Sequence, residues 1–147
     1  MKEKFKNLQI IFLGLLLGQL TFAIVANFII TSGAIADTGM LIYLVPAVMI
    51  VGIIIGFYIF NASLTKSAEK EGTIETQFSK YRKSSMVRWA MMEIGNLLAI
   101  IAAIIEANTF YFVLFSFGLL IFATTRPSVQ DFSKRFGLSS GAEKELI

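Results

Sequence analysis

Residues 87–107 read VRWAMMEIGNLLAIIAAIIEA, a long apolar run that carries one carboxylate, Glu93, well inside it. A helix rises about 1.5 Å per residue, so about 20 residues cross a hydrocarbon core of roughly 30 Å. A charged side chain at such depth is costly to place in lipid, and those that occur there tend to have a specific role. The run therefore predicts a transmembrane helix, with Glu93 as its most informative residue.

Three further apolar runs cover residues 8–30, 41–60 and 110–125. The chain of 147 residues has a mean hydropathy of +0.73 and is 16% charged, whereas about a quarter of a soluble domain is charged. We therefore expect an all-α integral membrane protein, a four-helix bundle that forms a single membrane domain over residues 1–147.

The basic residues lie on one predicted side of the membrane. The connections TSGAIADTG and EANT contain no Lys or Arg, whereas the N-terminal segment, the loop expected over residues 62–86 and the segment after the fourth run are rich in them. The positive-inside rule then places both termini and that loop in the cytoplasm. The expected location is the cell's inner (plasma) membrane, with several crossings.

The chain contains no Cys and no His. This excludes disulfides, Cys/His zinc sites, His-ligated haem and Cys or His catalysis within the chain. Because no compact group of acidic residues stands out at the membrane surface, we expect no enzyme activity, no metal and no cofactor. The expected partners are the lipid bilayer and further copies or other membrane subunits, and not a nucleic acid.

A weak internal repeat connects the two halves of the chain. The triplet at residues 18–20, Gly-Gln-Leu, aligns with Gly-Asn-Leu at residues 95–97, and Tyr43 has a rough counterpart in Tyr111. The chain is therefore compatible with two tandem helical hairpins, as in the parallel repeats of some transporters. Chance alignment is the alternative, because apolar helices use few residue types.

Two glycine pairs have the spacing that brings membrane helices close together. Gly14 and Gly18 lie four residues apart in the first run, and Gly52 and Gly56 do so in the second. Association in lipid depends on close packing through small residues. The expected use of both pairs is packing inside the bundle, and dimerisation through one pair is the alternative.

The third run also contains a stripe of polar and small residues. They recur every three or four positions, which places them on one face of a helix. The members are Glu93, Asn96, Ala99, Ala103 and Glu106. We expect this face to point into the bundle or at a partner, with Gln19 and Asn27 of the first run as polar neighbours.

The two carboxylates of the stripe are expected to differ. Glu106 precedes Asn108 and Thr109 in the short turn and should lie in the wet interface, whereas Glu93 lies roughly 10 Å inside the cytoplasmic boundary. Three roles are open for Glu93: a structural group held by Gln19 or Asn96, a contact to a partner subunit, or a proton- or cation-handling carboxylate. Arg88 is expected to reach out to the headgroups.

Two cytoplasmic segments show helical periodicity. Ile74, Phe78 and Tyr81 recur between charged residues in the predicted loop, which indicates an amphipathic helix leading into the third run. Residues 127–136 form a second candidate between Pro127 and Gly137, either an interfacial helix on the inner membrane surface or a plain helical extension.

Two functions follow from these patterns. The first is a subunit, assembly factor or scaffold of a membrane complex that acts through helix–helix contacts, as the small-residue spacing indicates. The second is an oligomeric proton or cation channel or transporter that uses Glu93, because four short helices alone rarely enclose a route.

Overall fold

The computed structural model describes residues 2–30, 39–68 and 73–138, with side chains for all of these except residues 66–68. Within these ranges the chain forms five helices and no strand, so the all-α prediction is confirmed for them. The helices are α1 (Lys2–Ile29), α2 (Leu41–Ala68), α3 (Ile74–Ile105), α4 (Phe110–Thr124) and α5 (Val129–Phe136).

Three of these helices are long and apolar enough to cross a membrane. They are α1, residues Leu41–Thr65 of α2, and α3. The 15-residue α4 is shorter and is followed by α5 at an angle of 61°, and the two would provide a fourth span if counted as one bent segment. The expectation of several membrane-compatible helices is therefore confirmed for the described part of the chain.

The connection between the second and third helices is much shorter than predicted. Helix α2 continues to Ala68 and α3 already begins at Ile74, so most of the loop expected over residues 62–86 is helical. Phe78 and Tyr81 are buried, whereas the charged residues around them, such as Lys80 and Arg82, are exposed, so a charged segment can extend an apolar helix. The helical periodicity of this segment predicted its structure correctly, whereas its many charged residues had suggested a loop.

Helix α3 is the centre of the fold. It packs most extensively against α2, and also against α4 and α1. Two clusters of buried apolar residues fill the interior, one towards each end of the helices. The first cluster is rich in large rings: Phe5, Leu8, Phe12, Phe60, Leu64, Phe78, Tyr81, Trp89, Met92, Phe122 and Phe132. The second contains smaller residues: Ala23, Ala26, Val45, Met49, Ala99, Ile100, Ala102, Ala103, Tyr111 and Phe115.

Helix α5 folds back onto the ring-rich cluster. The Ser128 hydroxyl accepts a hydrogen bond from the Asp131 amide at the start of the helix, and Gly137 ends it with a φ of 60°. Phe132 packs edge-on against Phe5 and Tyr81. The helix predicted over residues 127–136 is thus present as α5, but part of its apolar face contacts the protein itself.

The proposed repeat aligns residues that have different surroundings. Tyr43 is 79% exposed whereas Tyr111 is fully buried. Gly18 has no neighbour within 4 Å at its Cβ position, whereas a Cβ at Gly95 would lie 2.9 Å from the Met49 Cα. The tandem-hairpin arrangement therefore stays a prediction, without equivalent packing at these positions.

Candidate functional site

The two glycine pairs differ completely in what they contact. A Cβ at Gly52 would lie 2.6 Å from the Met91 carbonyl oxygen, and one at Gly56 would lie 3.2 Å from the Arg88 carbonyl oxygen. These two glycines therefore let α2 lie directly on the α3 backbone, as internal packing predicts. That expectation is met for the pair on α2.

The pair on α1 does not pack inside the protein. Gly14 and Gly18 are exposed, and apart from the backbone of α1 itself no atom of the described residues lies within 4 Å of either Cβ position. The expectation of internal packing is therefore wrong for this pair, because α1 turns its other side, with Phe12 and Gln19, towards α3 and α4.

Gly14 belongs to an exposed stripe along the length of α1. Its residues alternate at spacings of three and four, so they share one helix face. We call this the outer face of α1, and it consists of Ile10, Gly14, Leu17, Thr21, Ile24 and Phe28. The Thr21 hydroxyl donates to the Leu17 carbonyl oxygen in its own helix, so this polar group is satisfied without a partner helix.

A buried polar pair connects α1 to α3. The Asn96 side-chain amide donates a hydrogen bond of 2.8 Å to the Gln19 Oε1 atom, and both residues are buried. Gly118 of α4 leaves room for Asn96, because a Cβ at position 118 would collide with the Asn96 Oδ1 atom. The structure thus brings together two of the predicted site residues, whereas Asn27 lies on the surface.

Glu93 is not part of that pair. Its side chain is half-buried at the edge of the inward face of α3, and within the described ranges it has no hydrogen bond or ion pair. The structure shows no bond from Glu93 to Gln19 or Asn96, the two residues expected to hold it as a structural glutamate, and those two amides bond to each other. A contact role and an ion-handling role remain as predictions.

Glu106 lies at the other end of α3, about 20 Å from Glu93 along the helix. It is half-buried and accepts a hydrogen bond from the Tyr111 hydroxyl, and Gly39 leaves space for it. The structure therefore separates the two carboxylates, and Glu106 serves the turn between α3 and α4.

Arg88 is a functional candidate that the sequence did not predict. It is only 5% exposed, so the expectation that it reaches outward is wrong. Its guanidinium donates 3.0 Å to the Thr125 carbonyl oxygen, which the Trp89 indole also approaches, and it lies 3.7 Å from the centre of the Phe60 ring. The Phe60 ring and the Thr125 carbonyl oxygen therefore bind the Arg88 guanidinium in place of the expected lipid headgroups.

The arrangement offers contact surfaces and isolated polar groups. In the described part of the chain no three metal-ligating side chains of the His, Cys, Asp or Glu type converge. The features that stand out are the outer face of α1, the unpartnered Glu93 and the buried Arg88. No protein-family model matches the chain, and neither a curated protein nor a solved structure matches it.

Proposed function

We propose that the protein is a multi-pass protein of the cell's inner (plasma) membrane, a four-helix bundle with both termini in the cytoplasm. Support comes from three helices of sufficient length and hydropathy and from α4, which stops at Arg126 and Pro127. The basic residues fall at one end of these helices, as the positive-inside rule requires of a cytoplasmic side.

Within the membrane, the proposed role is that of a subunit, assembly factor or scaffold that acts through helix contacts. The observation that carries this proposal is the exposed side of α1, where Gly14 belongs to the outer face and Gly18 lies beside it, although the same glycine spacing on α2 serves close packing. Moving apolar side chains out of lipid provides little driving force for helix association. Small residues promote it because they allow two helices to pack closely.

The chemistry of this face indicates the kind of partner. It contains apolar and small residues and no charged group between Ile10 and Phe28, so a second transmembrane helix fits it, from another copy or another subunit. Spacings that alternate between three and four favour two helices crossing at a shallow angle of about 20°.

A site-specific photocross-link in native membranes tests this role. Benzoylphenylalanine incorporated in place of Leu17, at the centre of the outer face of α1, is expected to give one dominant adduct of defined mass. The matched control places the same group at Phe117 of α4, which is 64% exposed and has only large apolar residues three and four positions away. Weak or diffuse cross-linking is expected there.

Bulk added to the glycines should abolish the adduct. Gly14→Leu combined with Gly18→Leu fills the approach surface, whereas Ala90→Leu combined with Ala123→Leu adds comparable bulk at exposed positions on α3 and α4. We expect the cross-link from position 17 to disappear only in the glycine variant. Equal cross-linking from positions 17 and 117, or an adduct that survives both leucines, would contradict the proposed contact.

Cation or proton transport is the second candidate, and Glu93 is the observation that favours it. The carboxylate has no partner among the described residues, and the bundle interior is filled by Trp89, Tyr81 and other large side chains. A route would therefore have to run between copies. Glu93→Gln in liposomes should abolish cation flux and leave assembly unchanged; lost assembly would favour a contact role.

A further inference from the structure

A surface pocket of about 350 Å³ lies where the start of α1 meets the end of α4. Its lining residues are Lys6, Gln9, Ile10, Phe12, Leu13 and Arg126. It lies apart from the buried polar pair and beside the outer face of α1, with which it shares only Ile10. The pocket therefore combines two cationic side chains, one side-chain amide and three apolar side chains.

The charge of the pocket is uncompensated within the described part of the chain. No acidic side chain lines it, and neither Lys6 nor Arg126 forms an ion pair with a described residue. Lys4 and Arg135, in contrast, are paired with Glu75 and Asp131. Two unpaired cations on one rim attract an anion more strongly than either does alone.

The rim is held in place by the fold. The Gln9 side-chain amide donates 3.2 Å to the Pro127 carbonyl oxygen and so ties α1 to the segment that follows α4. Arg126 lies between Thr125 and Pro127, both of which are buried. The backbone that carries this arginine is therefore fixed, which keeps its side chain beside the pocket that Lys6 also lines.

Below the rim the pocket wall is apolar. Ile10 and Leu13 are more than half exposed and lie one to two helical turns from Lys6 towards the middle of α1. A cationic rim above an exposed apolar wall matches a molecule with an anionic head and a hydrocarbon tail. Basic pockets between transmembrane helices on the cytoplasmic side bind phospholipid headgroups by the same logic.

We propose that this pocket binds an anionic phospholipid of the inner leaflet. Lys6 and Arg126 contact the phosphodiester, the second N–H of Gln9 donates to the headgroup, and an acyl chain follows Ile10 and Leu13. The site rests on the membrane orientation proposed above, and it does not depend on the helix partner of α1.

Native mass spectrometry of the full chain in detergent micelles tests the site lipid by lipid. The probes are dioleoyl phosphatidylglycerol and dioleoyl phosphatidylcholine at matched concentrations. Lys6→Gln combined with Arg126→Gln is expected to weaken phosphatidylglycerol binding about tenfold or more, since it removes both cations that contact the phosphodiester. Phosphatidylcholine binding should remain weak and unchanged.

The control has the same change in net charge on the same predicted side. Arg82→Gln combined with Lys83→Gln removes two exposed cations that do not line the pocket. It should change phosphatidylglycerol binding less than about twofold. Equal losses in the two double variants, or no preference of the wild-type protein for the anionic lipid, would overturn the proposal.

Inorganic phosphate distinguishes a lipid site from a free-anion site. Millimolar phosphate should compete only weakly, because it lacks the acyl chain that contacts Ile10 and Leu13. Full displacement of phosphatidylglycerol by phosphate would overturn the lipid assignment. Failure of the membrane location itself would be recognised separately, as wild-type protein in the soluble fraction of lysed cells.

Discussion

Gly52 and Gly56 of α2 lie against the backbone of α3, whereas Gly14 and Gly18 of α1, with identical spacing, contact no other part of the described chain at their Cβ positions. The difference arises from which side of the helix carries the large apolar side chains. Helix α1 buries Phe5, Leu8 and Phe12, and its glycines lie on the side that remains exposed. Spacing therefore identifies a helix that can be approached closely, and only the fold determines whether the approach is made inside one chain.

The largest expected effect is the difference in stability between adding a methyl group to a glycine of α2 and adding one to a glycine of α1. Gly52→Ala places a Cβ 2.6 Å from the Met91 carbonyl oxygen, a backbone atom that cannot move cheaply. We expect the free energy of unfolding in micelles to fall by about 1–3 kcal/mol. Gly14→Ala should leave it unchanged or raise it by up to about 1 kcal/mol, since Ala is the better helix former.

Equal destabilisation by these two substitutions would remove the distinction between the glycine pairs. A loss confined to Gly14→Ala would mean that α1, and not α2, makes the close contact.

The second test compares the two sides of α3. Glycine contacts hold α2, whereas α1 is held in part by the hydrogen bond between Asn96 and Gln19. In a double-mutant cycle with Asn96→Ala and Gln19→Ala, we expect a coupling energy of about 0.6–2 kcal/mol, as for other hydrogen bonds between transmembrane helices. A cycle between Gln19 and Gly52, which do not touch, should give additive effects in the same unfolding measurement.

The smallest effect should appear where α1 and α3 extend beyond their apolar parts. Lys4 and Glu75 form an ion pair of 2.7 Å, but both side chains are more than half exposed to solvent. Exposed pairs of this kind contribute little to stability. Glu75→Gln should leave the thermal unfolding midpoint unchanged within error at both low and high salt. A clear drop would indicate that α1 depends on this end of α3 more than on its packed side.

The helices were predictable where composition changes sharply. The fourth run was predicted over residues 110–125 because Arg126 and Pro127 follow it, and α4 covers Phe110–Thr124. The long continuation of α2 and α3 was not predictable from charge, because Lys80, Arg82 and Lys83 sit on the outward side of a continuous helix. The amphipathic spacing of Phe78 and Tyr81 carried that information.

The candidate site was predictable only in part. Asn96, Ala99 and Ala103 face inward as the stripe on α3 indicates. The sequence could not choose Gln19 over Asn27 as the partner, since that depends on how α1 is rotated. It also could not predict the burial of Arg88, whose surroundings come from Phe60 on α2 and Thr125 after α4.

The docking of α5 has a consequence for biosynthesis. Phe132 packs edge-on against Phe5, so α5 covers the first turns of α1 although it is synthesised after α1 to α4. Because a chain is synthesised from its N-terminus, a surface that a later segment covers stays exposed until that segment has been made. Until α5 arrives, Phe5, Phe78 and Tyr81 lack one of their covering rings. The end of the helices that contains Phe5, Phe78 and Tyr81 is therefore closed only after α5 has been synthesised.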